Sequence, residues 1–361
     1  MLLRTLCALA LLIGVFGDRV SVVKLFGDVV GSLTYQYDLH DDVGMPMDCL
    51  HVQPVQDPSV WDGDIYFGTY HSYVGTEFQV RLASSSDLMH WRYHRTLLGN
   101  ADMPYTARPR NSTDADDAWI VLTHEQWMTA GSQLPSQLGF KLYLNESELK
   151  AGRQASSFVA ALSVGASSRL EGTPSLYSLE KRFHQGTWVV DADVGFHFNN
   201  ENGVDQVASG RLLSFGPDDT GAAASLTDQI RADVYDDLFI SYGAIGNIGQ
   251  RQNGMVQGTR VVAQEANVGF MPPTVWEDWR VWLYFYALGE GHTPTGESGR
   301  IAMIPVITHG GSRAVGNPSF SVLPCPPGSG GEGSCLFVSY FLFSEGAAQG
   351  EAGVCVFVQQ M

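Results

Sequence analysis

Positive charge is the scarcest feature of this sequence: 21 lysines and arginines stand against 38 aspartates and glutamates, a net charge of −17 over 361 residues. A surface that acidic excludes a nucleic-acid backbone or an anionic membrane as partner, because either needs a basic footprint. Long apolar runs are also missing after the first residues. "MLLRTLCALALLIGVFGD" carries one early Arg4 followed by an apolar stretch of signal-peptide length. It is short for a membrane span, which needs about 20 apolar residues. Residues 1–17 are therefore expected to be a secretory signal and 18–361 a single domain, outside the cell. Helical periodicity is scarce as well, so a helix bundle or a doubly wound α/β fold is not expected. Disorder is excluded by a 44% hydrophobic content.

Cysteine is sparse: five in all, of which Cys7 falls in the signal. The remaining Cys49, Cys325, Cys335 and Cys355 form an even set, which in a secreted chain favours two disulfides over metal ligation. Four cysteines allow three pairings. "CPPGSGGEGSC" suits a Cys325–Cys335 loop, leaving Cys49 and Cys355 to join the start of the fold to its end. "NSTD" at Asn111 and "NESE" at Asn145 match the glycosylation sequon.

What the chain has in plenty is short β-rich runs broken by Gly, Asp and Asn turns. One unit recurs: an opening stretch, a turn, then an aromatic strand that ends in polar residues. The second strands read "DIYFGTYHS" (64–72), "AWIVLTHEQ" (118–126), "TWVVDADVGFHFNN" (187–200), "DLFISYGAIGN" (237–247), "RVWLYFYALGEGH" (280–292) and "LFVSYFLFSEG" (336–346). Units of this size fit four-stranded propeller blades better than a β-sandwich with unequal loops. The expectation is an all-β, five-bladed propeller, with six blades possible. "SLTYQYDLH" (32–40) would close one blade with a terminal strand.

Antiparallel blades put the start of strand one and the end of strand two on one face of the disc. His71, His124 with Glu125, His197 with Asn199, and Glu290 with His292 all end second strands and would converge on one mouth. "QDPSVWDGDIYF" places Asp57 before a proline, a residue tolerated at strand starts. "EGTPSLY" likewise places Glu171 at an opening. Trp61, Tyr70, Trp127 and Trp276 are the aromatics that would stack on a ligand ring, although such aromatics are more often core.

"QDPSVWDGDIYFGTYHS", followed by "VRLASSSDLMHWRYHRTLL" and "EGTPSLY", resembles the five-bladed propeller glycoside hydrolases. These are the arabinanase, β-xylosidase and invertase-like group, nearest to glycoside hydrolase family 43. The likeness covers mainly residues 54–180. It implies a carbohydrate substrate and inverting hydrolysis, with Asp57 as general base and Glu171 as general acid. His71, Arg108, His124, Glu125 and His197 would then bind sugar hydroxyls. No cofactor and no catalytic metal is implied, although related propellers can hold a structural cation in the central channel, near where His197 would sit. Two departures stand out. The family's third carboxylate has no clean counterpart, with Glu125, Asp205 and Asp233 as stand-ins, and "YTARPR" puts Arg108 where an acid is expected. A non-catalytic glycan- or protein-binding propeller is the alternative. A phosphorylase would need Arg108 and Arg110 to form a phosphate pocket.

Overall fold

The computed structural model describes residues 21–109, 118–129, 132–160, 171–199, 205–217, 225–231, 248–257, 259–267, 276–286, 300–329 and 333–361. Twenty strands form five four-stranded antiparallel sheets. Blade I contains β2 (Asp48–Pro54), β3 (Tyr66–Val74), β4 (Glu77–Ser85) and β5 (Arg92–Gly99). Blade II contains β6 (Ala101–Ala107), β7 (Ile120–Thr129), β8 (Ser132–Tyr143) and β9 (Ser156–Val159). Blade III runs from β10 (Glu171–His184) and β11 (Thr187–Asn199) through β12 (Asp205–Phe215) to β13 (Ser225–Arg231). Blade IV holds β14 (Ile248–Val256), β15 (Thr259–Asn267), β16 (Trp279–Tyr286) and β17 (Arg300–Met303). Blade V holds β18 (Val315–Pro324), β19 (Ser334–Leu342) and β20 (Gly353–Gln360), and β1 (Thr34–Gln36) pairs with β20 to complete it. The N-terminal strand thus closes the ring, as "SLTYQYDLH" suggested.

The sheets pack face to face, so strands are buried on both faces and read as continuous apolar runs. Between blades I and II lie Trp61, Phe67, Leu82, Ile120 and Leu122. Val121, Phe140, Val190 and Phe196 fill the space between II and III. Leu50, Tyr66, Phe337 and Val356 join V to I. Helix α1 (residues 21–27) packs Val22 and Phe26 into the cluster shared by blades IV and V, where Tyr340 donates to the Phe26 carbonyl at 2.9 Å.

Five blades, not six, account for the rhythm. "RVWLYFYALGEGH" is the third strand of blade IV, and "TRVVAQEAN" is its second. Residues 237–247, Glu290 and His292 lie outside the described residues, as do residues 1–20 with the expected signal, Arg110 and Asn111. Among the described residues no helix is long and apolar enough to cross a membrane.

Cys325 and Cys335 form a disulfide across the β18–β19 hairpin. The second expected bridge does not exist. Cys355 is the third residue of β20, paired with Tyr340, while Cys49 is the second residue of β2 with its sulfur 3.5 Å from Met103 Sδ. Both are buried, Cys49 in the innermost strand of blade I and Cys355 in the third strand of blade V. Replacing Cys335 by Ser is expected to cost about 2–3 kcal/mol, the range for a short closed loop. Denaturant unfolding under non-reducing conditions, against the disulfide-bonded parent, measures it.

Candidate functional site

The innermost strands β2, β6, β10, β14 and β18 run parallel around the axis. Side-chain contacts step along them in register: Asn317 with Asp48, Ser319 with Leu50, Ser321 with Val52. His51 stacks on Tyr105, and Thr123, the register partner of Tyr105, donates to the Pro174 carbonyl. All five strands therefore begin at one face, termed the upper mouth, and end at the opposite, lower face. Second strands return to the mouth, so Asp48 lies opposite His71, Asp102 opposite Glu125, and Gly172 opposite His197.

Each innermost strand breaks its ladder just inside the mouth, between Asp48 and His51, Asp102 and Tyr105, Gly172 and Ser175, Ile248 and Arg251, and Gly316 and Ser319. Four of these bulges hold a non-glycine residue in the left-handed region: Cys49 (φ 53°), Met103 (47°), Thr173 (46°) and Asn317 (46°). Such conformations cost on the order of 1–3 kcal/mol each and cluster where a side chain must be re-aimed. Here they turn the first residue of each strand toward the mouth.

Asp48 is the most open of the resulting acids, with 14% of its side chain exposed. Asn317 Nδ2 donates to its Oδ2 at 2.6 Å, the Cys49 N–H donates to Oδ1 at 2.8 Å, and His71 Nε2 lies 3.4 Å from Oδ2. The Met103 N–H donates to His71 Nδ1 at 3.3 Å, which places the neutral ring's hydrogen on Nε2, facing Asp48. Asp48, Cys49 and His71 bring ligand-type atoms within 4.8 Å of one another. A ligating Nε2 would need its hydrogen on Nδ1, so this arrangement suits a hydrogen-bonded dyad better than a metal centre.

Beside it lies a buried acid cluster. Asp102 is raised well above the usual carboxylate range, by burial first and by Glu125 second. Burial pushes Glu125 up to about 7. Glu171 opens β10 with no exposed surface, next to Gly172. A Cβ at Gly172 would lie 2.0 Å from Glu125 Oε2 and 2.7 Å from His197 Nε2, so the missing side chain is what lets these two groups from adjacent blades close over the strand. On blade IV, Glu265 Oε2 accepts from the Asn317 N–H, tying a fifth acid to the residue that holds Asp48.

The fold therefore gathers Glu171, His71, Glu125 and His197 at the mouth, as expected from their strand ends. Three other expectations are corrected. Asp57 does not open an innermost strand. β2 ends at Pro54, and Asp57 follows it on the lower face, where its Oδ1 accepts from Ser59 N (3.0 Å) and Ser59 Oγ (2.6 Å) in a local turn. Arg108 follows β6 on that same lower face, ion-paired with Glu146 of helix α2 (Glu146–Ala151) and donating to Gln56 Oε1 at 2.9 Å. It is no part of the mouth and no free phosphate site. His124 covers Gly139 of the adjacent strand, and burial, with Lys141 adding to it, holds its imidazole down to about 3, neutral in use. Asp48, Asp102, Glu265 and Asn317 were missed. Asp102 is a third carboxylate near the start of an innermost strand, beside those of Asp48 and Glu171. Of the stand-ins named for it, Glu125 joins the cluster, Asp205 begins β12 and Asp233 lies outside the described residues.

No family model matches the chain, and no curated protein matches it. Solved structures do. An N-acetylgalactosamine deacetylase from F. plautii, in complex with blood group B trisaccharide, is 12% identical over 90% of each chain, with a TM-score of 0.47. An alpha-L-arabinofuranosidase from Lactobacillus brevis is 10% identical over 89% of this chain and 93% of that one, at 0.47. The alpha-L-arabinanase of Cellvibrio cellulosa is 9% identical over 87% of this chain and 91% of that one, at 0.43. At these identities and scores the likeness assigns no residue and no activity.

Proposed function

We propose that the protein is a secreted glycoside hydrolase whose reaction takes place at the upper mouth. The observation that carries this reading is the meeting of Asp48, Asp102 and Glu171, each from the start of a different innermost strand, at one end of the channel. Inverting hydrolysis needs an ionised carboxylate to activate water and a protonated carboxyl group roughly 6.5–9.5 Å away to protonate the leaving oxygen. Asp48 is suited to the first role: it faces solvent and accepts hydrogen bonds from donors on both sides. Glu171 takes the second. The buried acids around it keep protons near neutrality, Glu125 at about 7 and Asp102 well above the usual range, so the cluster holds a proton for the acid step. The Cys325–Cys335 disulfide and an acidic surface suit an extracellular enzyme acting on neutral glycans.

The non-catalytic binder rested on a missing third carboxylate, and Asp102 near the head of β6 supports the hydrolase over it. The deciding experiment incubates the protein with arabinan, xylan and a panel of aryl-glycosides and follows reducing-end release, with NMR to read the anomer formed first. Release with inverted configuration is expected. Tight glycan binding without any release would establish the binder instead.

The Glu125 carboxyl also sets a pH dependence. Its folded-state pKa of about 7 exceeds the ordinary value of 4.5, so the proton is held up to neutrality and lost above it. Activity is expected to fall as pH rises through about 7, and Glu125→Gln should shift or abolish that limb of the kcat/KM profile. The same shift means that the folded state loses stability as pH rises from about 4.5 to about 7, and Glu125→Gln should flatten that slope in unfolding curves.

A further inference from the structure

Four aromatics stood out in the sequence as sugar-stacking candidates, and the fold sorts them. Trp61, Tyr70 and Trp127 are buried, while Trp276 keeps 49% of its surface open. Its indole lies nearly parallel to the Phe343 ring (4.9 Å, 23°) and to Trp279 (6.1 Å, 26°). Two rings behind it fix the plane of the exposed one. Trp276 begins the turn leading into β16, whose first residue pairs with Asn267 at the mouth end of β15, so this stack stands on the upper face.

The stack is continuous with the acids. A Cβ at Gly316 would lie 2.6 Å from the Phe343 ring and 2.7 Å from Glu265 Oε2. The next residue, Asn317, donates to Asp48. A path of direct contacts thus runs from the indole through Phe343 and the Gly316–Asn317 bulge to the carboxylate that faces solvent.

We propose that Trp276 is the stacking platform that holds one ring of a neutral glycan beside Asp48. This rests on the hydrolase reading above. A sugar ring with a continuous face of C–H groups packs on an indole, while its hydroxyls remain free to meet the carboxylates and imidazoles of the mouth. The Asp48 carboxylate at the open end of that mouth and a net charge of −17 on the chain disfavour a uronate-bearing glycan, and a neutral one is accepted. Exposure alone does not make the case. Phe183 (61% exposed) and Trp188 (48%) form a similar pair at the β10–β11 hairpin tip, but on the lower face, away from the acids.

The test uses the full-length Asp48→Asn protein, in which bound glycan is not consumed. It is titrated with arabinohexaose, xylohexaose, a galactose-terminated trisaccharide and oligogalacturonate, read by calorimetry and tryptophan fluorescence. Trp276→Ala in that background is expected to weaken binding of the preferred neutral glycan by about tenfold, Trp276→Phe by much less, and Trp188→Ala not at all. Oligogalacturonate should bind poorly. Thermal unfolding of each variant keeps a folding defect apart from a lost contact. Undiminished binding by Trp276→Ala, in a protein whose wild type hydrolyses that glycan, overturns the platform and leaves the hydrolase intact. If the wild type neither binds nor cleaves any neutral glycan, the hydrolase reading falls and the platform with it. Preference for oligogalacturonate overturns the assigned substrate class.

Discussion

Asp48→Asn is expected to lower turnover about 10²–10⁴-fold, the usual contribution of a general base, while Asp57→Asn leaves it within about twofold of the parent. The two aspartates stand nine positions apart, yet β2 carries the chain from one face of the disc to the other between them. Asp48 ends in the mouth with Asn317, His71 and the Cys49 amide around it. The Asp57 carboxylate is committed to its own turn through Ser59. Initial rates on the best substrate from the glycoside panel, with circular dichroism to verify folding, separate the two. A large loss in Asp57→Asn with full activity in Asp48→Asn would reverse the assignment and with it the functional meaning of the mouth. Glu171→Gln should match Asp48→Asn in lost turnover, but with aryl-glycosides carrying a good leaving group the loss should shrink, because such a group needs little protonation.

The blade rhythm was legible because second strands are buried on both faces. β3 and β7 are apolar and aromatic runs that carry polar residues, His71 with Ser72 and His124 to Gln126, where the sheet reaches the mouth. That is why His71, Glu125 and His197 were placed correctly. First strands carry no such signal. They line the channel, so β2 reads "DCLHVQP" and β6 reads "ADMPYTA", with His51, Gln53 and Tyr105 facing a cavity of about 130 Å³ between the innermost strands. Without a hydrophobic pattern the start of β2 was invisible, and the Asp-Pro pair after it stood out instead. The bulges were hidden for a second reason. Cys49, Met103 and Thr173 are of types that rarely adopt positive φ, so nothing in residue type announces them, and Asn317 alone is of a type that favours it. What re-aims Asp48 and Asp102 into the mouth is backbone geometry imposed by the closed ring. Blade IV was misread because β16, "WRVWLYFY", is more strand-like than the true second strand β15, "TRVVAQEAN", whose Glu265 belongs to the mouth. One signal was available and unused: an acid stands at the head of β2, of β6 and of β10, each a few residues before a proline.

The Asp-Pro segment has a structural task instead, and it carries the second large effect. Glu146→Ala is expected to destabilise the protein by about 3–5 kcal/mol, the cost of stranding one partner of a buried ion pair. Glu146 sits almost fully buried at the head of helix α2 and gathers four donors. Its oxygens accept from the Gln56 N–H at 2.7 Å, the Asp57 N–H at 3.1 Å, Trp61 Nε1 at 2.9 Å and the Arg108 guanidinium. The carboxylate thereby ties the turn after β2 in blade I to the chain leaving β6 in blade II. Asn145 caps the same helix by accepting from the Glu148 N–H at 2.9 Å. Removing Glu146 leaves two backbone amides, an indole N–H and a guanidinium without their acceptor. Burial already pulls the Arg108 pKa below its ordinary value despite Glu146 beside it. For a chain of this length the loss corresponds to a fall in Tm of roughly 4–7 °C. Scanning calorimetry measures it, and the fraction that stays folded should retain its turnover, because the acids of the mouth lie at the other end of the disc. Combining Glu146→Ala with Arg108→Met should recover part of the lost stability by removing the stranded charge as well. Full stability in Glu146→Ala alone would show that this lower-face cluster contributes nothing to holding blades I and II together.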